Sequence, residues 1–348
     1  MSKLVEGIKD RMVAAAREAA PTVMDAAQKA ATAAVEKVAE AVADAKNVAG
    51  ETSVVSEPAT AAEPVAAAQA PEGAIFNPEA ARGNLHLGID VGSTTVKLAV
   101  LNDDNQIVYA KYQRHHTDVR ACARDLFEGA ATVLPTAQMT CAITGSGGLL
   151  LSQWLDLEFV QEVIASKRAV ETLIPATDVA IELGGEDAKI IYFDNGIEQR
   201  MNGTCAGGTG AFIDQMATLL HTDASGLNEL AANATTIYPI ASRCGVFAKT
   251  DIQPLLIQGA ERTDIALSTF HAIAKQTIGG LSQGLELTAP IIFEGGPLTF
   301  NPTLVRVFAE RLDLEGRDIV RPDHPETIVA RGTAIAVDEL FPGLQDAV

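Results

Sequence analysis

The stretch LHLGIDVGSTTVKLAVLNDDNQIVYAKYQ, residues 85–113, contains three runs of apolar and β-branched residues separated by short polar turns. The runs at 86–91, 95–102 and 106–113 predict three strands, and the turns VGSTT and NDDNQ predict that consecutive strands form hairpins. Helical periodicity follows from Thr117 to about Ala131, and the segment MTCAITG then predicts another strand. The order of elements indicates a meander of strands followed by a helix and a further strand.

The same order of elements recurs in DVAIELGGEDAKIIYFDNGIEQRMNG, residues 178–203, which again predicts strand, glycine turn, strand, short turn and strand. Helices are predicted at AFIDQMATLL, 250–258 and 264–285, followed by a strand at PIIFEGG and a closing helix near 330–340. A strand-rich module that occurs twice, with helices at the crossovers, predicts an α/β fold of two related domains with a cleft between them.

Length and composition exclude several classes of protein. The chain has 348 residues, enough for two domains and some extra chain, and no run of about 20 large apolar residues that would predict a membrane span. The net charge of -19 disfavours nucleic-acid binding, because it repels a phosphate backbone. Four cysteines are too few for a disulfide scaffold, and the charged N-terminus does not fit a signal peptide. We therefore expect a reduced, cytoplasmic protein.

The first 84 residues differ in composition from the rest, because they consist mainly of Ala, Val, Glu and Lys. This composition predicts a helix to about residue 48, and the later Pro and Gly residues predict a flexible linker that includes Pro71. A solvated spacer and a helix that docks on a partner or a membrane surface both fit this composition. We expect four parts: this extension over 1–84, a first domain over 85–178, a second over 179–342, and a tail over 343–348.

Two glycine turns end equivalent strands of the two modules, IDVGSTTVK at 89–97 and IELGGEDAK at 181–189. Glycine lets the backbone approach a ligand and leaves N–H groups free for phosphate oxygens, so the paired turns predict an anion site. A third cluster, FEGG at 293–296, can pack its backbone against a flat ring such as adenine. The chain has no GxxxxGK[ST] and no GxGxxG motif, so the nucleotide must be held in another way. The candidate nucleotide-binding residues are Gly92, Ser93, Thr94, Thr95, Lys97, Gly184, Gly185, Asp187, Gly208, Thr209, Gly210, Gly295 and Gly296.

Asp90 lies at the end of the first predicted strand, directly before the first glycine turn. Mg²⁺ keeps much of its hydration and uses few carboxylates, so one carboxylate at this position can hold the ion through water. Asp90 is therefore the candidate magnesium residue.

In this order, GIDVGSTTVK, ELGGEDAK and FEGG resemble the two phosphate loops and the adenosine loop of the superfamily of acetate kinase, sugar kinases, heat-shock ATPase chaperones and actin. The stretches MNGTCAGGTGAFIDQMA and IASRCGVFAKTDIQ are more specific, and resemble the ATP-dependent activators of 2-hydroxyacyl-CoA dehydratases and benzoyl-CoA reductases. The resemblance covers about residues 86–340. It implies two actin-like (RNase H-like) ATPase domains around a nucleotide cleft, with ATP and Mg²⁺ as cofactors.

Cys205 and Cys244 each precede an apparent helix, and helix N-termini stabilise thiolates. Two thiolates are half of a 4Fe-4S ligand set, although the residues alone also fit two buried free cysteines. The resemblance implies a homodimer in which each subunit gives Cys205 and Cys244 to one shared 4Fe-4S cluster. It also implies that the cluster passes a low-potential electron to an iron–sulfur dehydratase or reductase, with flavodoxin or ferredoxin as the donor. Cys122 and Cys141 are expected in the core.

The chain departs from the usual DIGGQDSK form of the second loop, because Glu182 and Glu186 stand at its Asp and Gln positions. The resemblance implies that Asp90, Glu182 and Glu186 are the catalytic residues. Because Glu182 and Glu186 replace the usual Asp and Gln, the resemblance also implies that the attacking water is positioned differently in this chain. The variant loop resembles the activator module at the start of long fused dehydratase-type chains.

Two other functions fit the same sequence. One is a small-molecule kinase of the same superfamily without a cluster, which needs a carboxylate base beside the acceptor hydroxyl. The other is a nucleotide-gated binding module that has lost hydrolysis through Glu182 and Glu186. Iron content and acceptor dependence of ADP release discriminate among the three.

Overall fold

The structure is a computed structural model, and it describes residues 70–135, 137–193, 196–202, 207–241 and 244–341. The predicted N-terminal helix and most of the predicted linker lie outside the described residues, as does the tail at 343–348. The described chain forms a mixed α/β structure with two sheets, which confirms the predicted fold class.

The first sheet has six strands in the order β1-β4-β3-β2-β5-β6. The strands are β1 (Ala74–Phe76), β2 (Leu85–Val91), β3 (Thr95–Asn102), β4 (Ile107–Arg114), β5 (Met139–Thr144) and β6 (Glu158–Phe159). Strands β2, β3 and β4 form the predicted antiparallel meander, and β5 pairs with β2 in parallel. Every residue of β2 is buried, as expected for a central strand that is covered on both faces.

The second sheet has five strands in the order β11-β10-β7-β8-β9. The strands are β7 (Val179–Leu183), β8 (Ala188–Tyr192), β9 (Glu198–Met201), β10 (Ile291–Glu294) and β11 (Ile319–Val320). Here β7, β8 and β9 form the meander, and β10 pairs with β7 in parallel. The two sheets therefore share one topology, which confirms the repeat seen in the sequence.

Ten α-helices lie in the described part of the chain, and they connect the strands. They are α1 (Val119–Val133), α2 (Gly148–Leu155), α3 (Glu162–Leu173), α4 (Gly210–Leu219), α5 (Ala224–Ala232), α6 (Gly245–Ile257), α7 (Arg262–Leu281), α8 (Gly296–Phe300), α9 (Pro302–Leu312) and α10 (Ile328–Leu340). Helix α1 begins after Asp118, whose side chain accepts the N–H of Ala121 at 3.0 Å as an N-cap. Helix α7 ends earlier than predicted, because Gln283 and Gly284 adopt positive φ.

Helices α3 and α10 lie against both sheets and join them into one compact unit. Val329 and Ala165 pack with Ala142 of the first sheet, while Ile328 and Ala169 pack with residues of the second sheet. The two helices approach closely at Gly332, where a Cβ atom would lie 1.9 Å from the carbonyl oxygen of Ala165. Through these contacts the two helices hold both sheets together.

The folded chain starts earlier than the sequence predicts. Strand β1 pairs antiparallel with β4, so Ala74–Phe76 belong to the first sheet, ahead of the boundary that we placed after residue 84. A three-residue apolar run carries too weak a pattern to be recognised as a strand beside an Ala-rich segment.

Among the described residues, no helix is long and apolar enough to cross a membrane.

Candidate functional site

The two glycine loops face each other between the sheets. In the first loop, the N–H of Gly92 donates to the carbonyl of Thr95 at 2.9 Å, and in the second the N–H of Gly184 donates to the carbonyl of Asp187 at 2.8 Å. A Cβ atom on Gly185 would lie 2.1 Å from the Thr94 hydroxyl oxygen. Only glycine therefore permits this approach of the two loops.

A small cavity of about 30 Å³ lies where the loops meet. Its lining includes nine residues that the sequence singled out: Thr94, Thr95, Lys97, Glu182, Gly184, Gly185, Gly210, Gly295 and Gly296. Beside it, the hydroxyl oxygen of Ser93 is shielded from solvent and has no hydrogen-bond partner among the described residues. A buried hydroxyl without a protein partner beside the two glycine loops fits a donor to a phosphate oxygen.

The N-terminus of helix α4 lies beside the second glycine loop, and backbone hydrogen bonds join the two. The N–H of Gly210 donates to the carbonyl of Gly184 at 3.0 Å, and the N–H of Ala211 donates to that of Gly185 at 2.7 Å. Thr209, the N-cap, is fully buried, and Gly208 before it has a φ of 86°. Two N–H groups of this helix terminus are thus already bonded to the second loop.

The third glycine cluster turns the chain sharply after β10. Gly295 has a φ of 86°, and its Cα lies so near β7 that a Cβ atom would meet the carbonyl oxygen of Leu183 at 2.2 Å. The next residue, Gly296, packs against the Tyr112 hydroxyl of the first sheet, and the Tyr112 ring makes an edge contact with Phe300 at 5.3 Å between centroids. This loop therefore borders the same cavity as the other two.

Asp90 lies at the carboxyl end of β2 and forms a buried ion pair. The Lys97 ammonium donates to Asp90 Oδ2 at 2.8 Å. Burial lowers the pKa of Lys97, but the Asp90 carboxylate together with Tyr112 and Glu182 outweighs that effect, so the pKa lies above its ordinary value. The charge of Glu182 also acts on Lys97, so carboxylates from both sheets lie near this ammonium.

Lys189 is the centre of a second buried charge cluster. Its ammonium donates to Glu182 at 3.2 Å and to Glu162 at 2.5 Å, and it pairs with Asp187 at 2.8 Å. Burial lowers the pKa of Lys189, yet these three carboxylates together hold it well above the ordinary value. Glu186 is exposed at the tip of the turn, so of the two unusual glutamates only Glu182 belongs to the buried cluster.

Glu162 is a site residue that the sequence did not reveal. It begins α3 and reaches Lys189 from a different element. Burial, followed by the negative charge of Glu182, raises the pKa of Glu162 to about 7. A charged residue at the start of a helix looks like an ordinary N-terminal acid, so the sequence gives no signal of its burial.

Glu294 is the second residue that the sequence missed, because it stood only as part of a predicted turn. In register across the sheet, Glu294 on β10 lies beside Glu182 on β7, which lies beside Lys189 on β8. Glu294 is fully buried, and neither carboxyl oxygen has a hydrogen-bond partner among the described residues. Burial raises the pKa of Glu294 well above its usual range, and the charge of Glu182 acts in the same direction, so folding disfavours the ionised form of this side chain.

We expect Glu294→Gln to stabilise the protein at pH 8 and to lose that advantage near pH 4. A carboxyl whose pKa is raised by folding stabilises the native state below the unfolded pKa of about 4.3, and this contribution is lost as pH rises toward the folded pKa. Gln cannot ionise, so the difference in unfolding free energy should grow by up to about 1.4 kcal/mol for each pH unit above that point. Urea denaturation from pH 4 to 8 measures it.

Glu186→Gln is the matched control, because Glu186 is exposed in the same region. Its unfolding free energy should follow that of the wild type at every pH. A constant difference between Glu294→Gln and wild type across the pH range would contradict a raised pKa of Glu294.

The arrangement suits Mg²⁺ held together with a nucleotide better than Mg²⁺ held by protein alone. In the part of the chain that the structure describes, no three His, Cys, Asp or Glu side chains are grouped to hold a metal ion. Mg²⁺ in nucleotide sites uses one or two carboxylates, and phosphates and water complete its coordination. Asp90, at the edge of the loops, fits that donor set.

The cysteines fall into two groups. Cys122 and Cys141 are buried as expected, and burial raises the pKa of their thiols to about 11 and about 12. Cys244 is partly exposed and is the N-cap of α6, and its side chain makes no capping hydrogen bond to the helix. Cys205 lies outside the described residues, and the helix that follows it begins only at Gly210.

For the ATP hydrolysis that the sequence resemblance implies, we expect Gly185→Ala to lower kcat/KM by about 100-fold, because the new methyl group pushes the loops apart and small misplacements at a reacting centre have effects of this size. Gly316→Ala is the control: apart from its own chain neighbours, no atom of the described residues lies within 4 Å of the position that its Cβ would take, so its activity should be unchanged. Steady-state phosphate release and melting temperature are measured for both. Normal turnover in Gly185→Ala would show that the contact between the two loops is not needed for activity.

Comparison with known proteins shows which family this chain resembles. Residues 87–335 match the BadF/BadG/BcrA/BcrD ATPase family. The chain is 30% identical to a 2-hydroxyisocaproyl-CoA dehydratase activator of Clostridioides difficile over 73% of this chain and 95% of the relative. It is 32% identical to an activator of lactoyl-CoA dehydratase of Anaerotignum propionicum, over 72% of this chain and 95% of the relative.

Two solved structures show the same fold. Component A of the (R)-2-hydroxyglutaryl-CoA dehydratase of Acidaminococcus fermentans superposes with a TM-score of 0.65 at 29% identity, covering 73% of this chain and 97% of that one. The activator of the 2-hydroxyisocaproyl-CoA dehydratase from Clostridium difficile with bound ADPNP gives a TM-score of 0.67 at 27% identity, covering 76% and 98%. The resemblance found in the motifs is thus confirmed, and the chain belongs to the BadF/BadG/BcrA/BcrD ATPase family.

Proposed function

We propose that this chain is an ATP-hydrolysing activator whose homodimer shares one 4Fe-4S cluster and delivers a low-potential electron to a partner enzyme. The observation that carries the proposal is the contact of the two glycine loops, Thr94 against Gly185, beside the buried carboxylates of both sheets. The relatives named as dehydratase activators support the activator role.

The phosphates lie between the glycine loops in this proposal. Asp90 would hold Mg²⁺ through water, and the bound ion would supply positive charge beside the transferring phosphoryl group. Glu182 orients the attacking water, since its buried carboxylate is held by Lys189 at 3.2 Å, whereas Glu186 is exposed and has a smaller part. Gly295 and Gly296 face the adenosine.

Cys205 and Cys244 of each subunit ligate the cluster. Cys244 supports this role by its partial exposure and by its place directly before the first residue of a 13-residue helix. The next two side chains, Val246 and Phe247, are apolar and 69% and 65% exposed, which suits an interface with a second copy of the chain. Two cysteines from each of two chains complete the four thiolates that a 4Fe-4S cluster takes.

The partner is an iron–sulfur dehydratase or reductase of the 2-hydroxyacyl-CoA dehydratase or benzoyl-CoA reductase type. Three relatives carry names that include a 2-hydroxyacyl-CoA dehydratase, which supports this class. Flavodoxin or ferredoxin supplies the electron to the cluster. Movement of the cleft between nucleotide states is transmitted through α4 and α6, which follow the two cysteines.

The experiment is steady-state turnover by the anaerobically purified full-length chain. An activating ATPase releases ADP and inorganic phosphate in equal amounts without an added acceptor. A kinase instead releases ADP only when its acceptor is present, and a chain that binds ATP without releasing ADP is a binding module; either result would overturn the proposal.

A further inference from the structure

An ion pair bridges the two walls of the cavity. Arg114, the last residue of β4, donates from Nη1 to Asp214 Oδ2 at 2.9 Å and from Nη2 to Oδ1 at 3.4 Å. Asp214 belongs to α4, the helix that is bonded to the second glycine loop. Both side chains line the cavity together with Thr94 and Gly185. The pair therefore links the first sheet to the helix that carries the second loop.

The space that these walls enclose is too small for a nucleotide. The cavity measures about 30 Å³, whereas pockets for ligands of this size are roughly 300–1,000 Å³. Entry of a nucleotide must therefore move the lining side chains or separate the walls. Arg114–Asp214 and Tyr112–Phe300 are contacts across that boundary, and opening disrupts them.

The cations near the loops differ in how firmly they are held. Lys97 is buried against Asp90, and Lys189 is buried among three carboxylates, so neither has free positive charge to offer. Arg114 is 47% exposed and its partner Asp214 is 43% exposed, and exposed ion pairs of this kind are weak. Of the cations that line the cavity, Arg114 is thus the one that exchanges its partner most easily.

We propose that Arg114 is a phosphate-binding residue that exchanges Asp214 for a phosphate of the nucleotide when the cleft opens. The guanidinium fork matches two phosphate oxygens as well as it matches the two oxygens of Asp214, and the phosphate carries more charge. Asp214 competes with the phosphate for the Arg114 guanidinium and holds that side chain at the cavity until the nucleotide binds. The inference rests on the proposed use of ATP and adds a residue from outside the glycine loops.

The test measures dissociation constants of ADP, of a non-hydrolysable ATP analogue and of adenosine by calorimetry on the full-length chain. Asp214→Asn should tighten binding of both nucleotides by about 2- to 5-fold, the scale of an exposed ion pair. Arg114→Ala should weaken both by about 10- to 100-fold, the scale of charge-assisted hydrogen bonds to phosphate. Adenosine affinity should be the same in Arg114→Ala and wild type. Arg114→Lys should lie between Ala and wild type, because it keeps the charge and loses the fork.

The opposite signs of the two variants are the decisive feature. If the Arg114–Asp214 ion pair only held the cleft closed, removing either side chain would tighten nucleotide binding. Tighter binding in both variants would therefore overturn the inference. Equal loss of adenosine and ADP affinity in Arg114→Ala would overturn it as well. A wild-type chain that binds none of the nucleotides would overturn the proposed function itself. This result is seen without any variant, so it is distinct from a failure of the Arg114 inference.

Discussion

Asp90→Asn is expected to lower ATP turnover by about 100- to 1,000-fold while the iron content stays at the wild-type value. The change removes a negative charge at the place where Mg²⁺ and the developing charge of phosphoryl transfer must be held, and losses of one such electrostatic group have this magnitude. Iron content is expected to persist, because Asp90 lies near the end of β2 in the first sheet, whereas Cys244 is the N-cap of helix α6. Turnover is measured as phosphate release, and iron by chemical analysis of the same sample.

The variant also leaves the Lys97 ammonium buried without its partner, and breaking a buried pair costs about 3–5 kcal/mol of stability. The double variant Asp90→Asn with Lys97→Met removes that buried charge and should recover most of the lost melting temperature. Turnover should remain low in the double variant. If turnover returns together with stability, Asp90 is a folding residue and has no part in the chemistry.

Cys205→Ala and Cys244→Ala are each expected to remove nearly all iron from the anaerobically purified protein, from about two iron atoms per chain to almost none. Each substitution leaves a dimer with two of the four thiolates that a 4Fe-4S cluster needs. The loss of the cluster signal in electron paramagnetic resonance should accompany the loss of iron. ATP binding should persist in both variants, because the glycine loops are unchanged.

Cys122→Ala is the matched control for these substitutions. Cys122 is buried on α1, and burial raises the pKa of its thiol to about 11, so it is a poor metal ligand. Its iron content should equal that of the wild type. Iron that survives in Cys244→Ala and disappears in Cys122→Ala would reverse the assignment of the ligands.

The sequence predicted the two meanders well, because alternating apolar residues between glycine turns specify strands almost residue by residue. Strand β3 begins at Thr95 and ends at Asn102 as predicted, and the three glycine clusters border one cavity. Helices α2 and α3 were not predicted. The first, GLLLSQWL, is short and largely apolar, so its periodicity cannot separate a helix from a buried strand.

The charged residues of the site were harder to predict for a physical reason. Glu294 is fully buried and Glu162 pairs with Lys189, yet in a sequence an acidic residue indicates solvent exposure. Arg114 and Asp214 are 100 positions apart, and only the packing of the sheets brings them together. Contacts between distant polar residues depend on tertiary structure, which local periodicity does not contain.

The most direct test of the proposed function is native mass spectrometry of the anaerobically purified wild-type chain, combined with iron and sulfide analysis. We predict a species of two chains that carries four iron and four sulfide atoms. Iron bound to a single chain, or a dimer without iron, would contradict the shared cluster and leave a nucleotide-dependent ATPase of this family without its electron carrier.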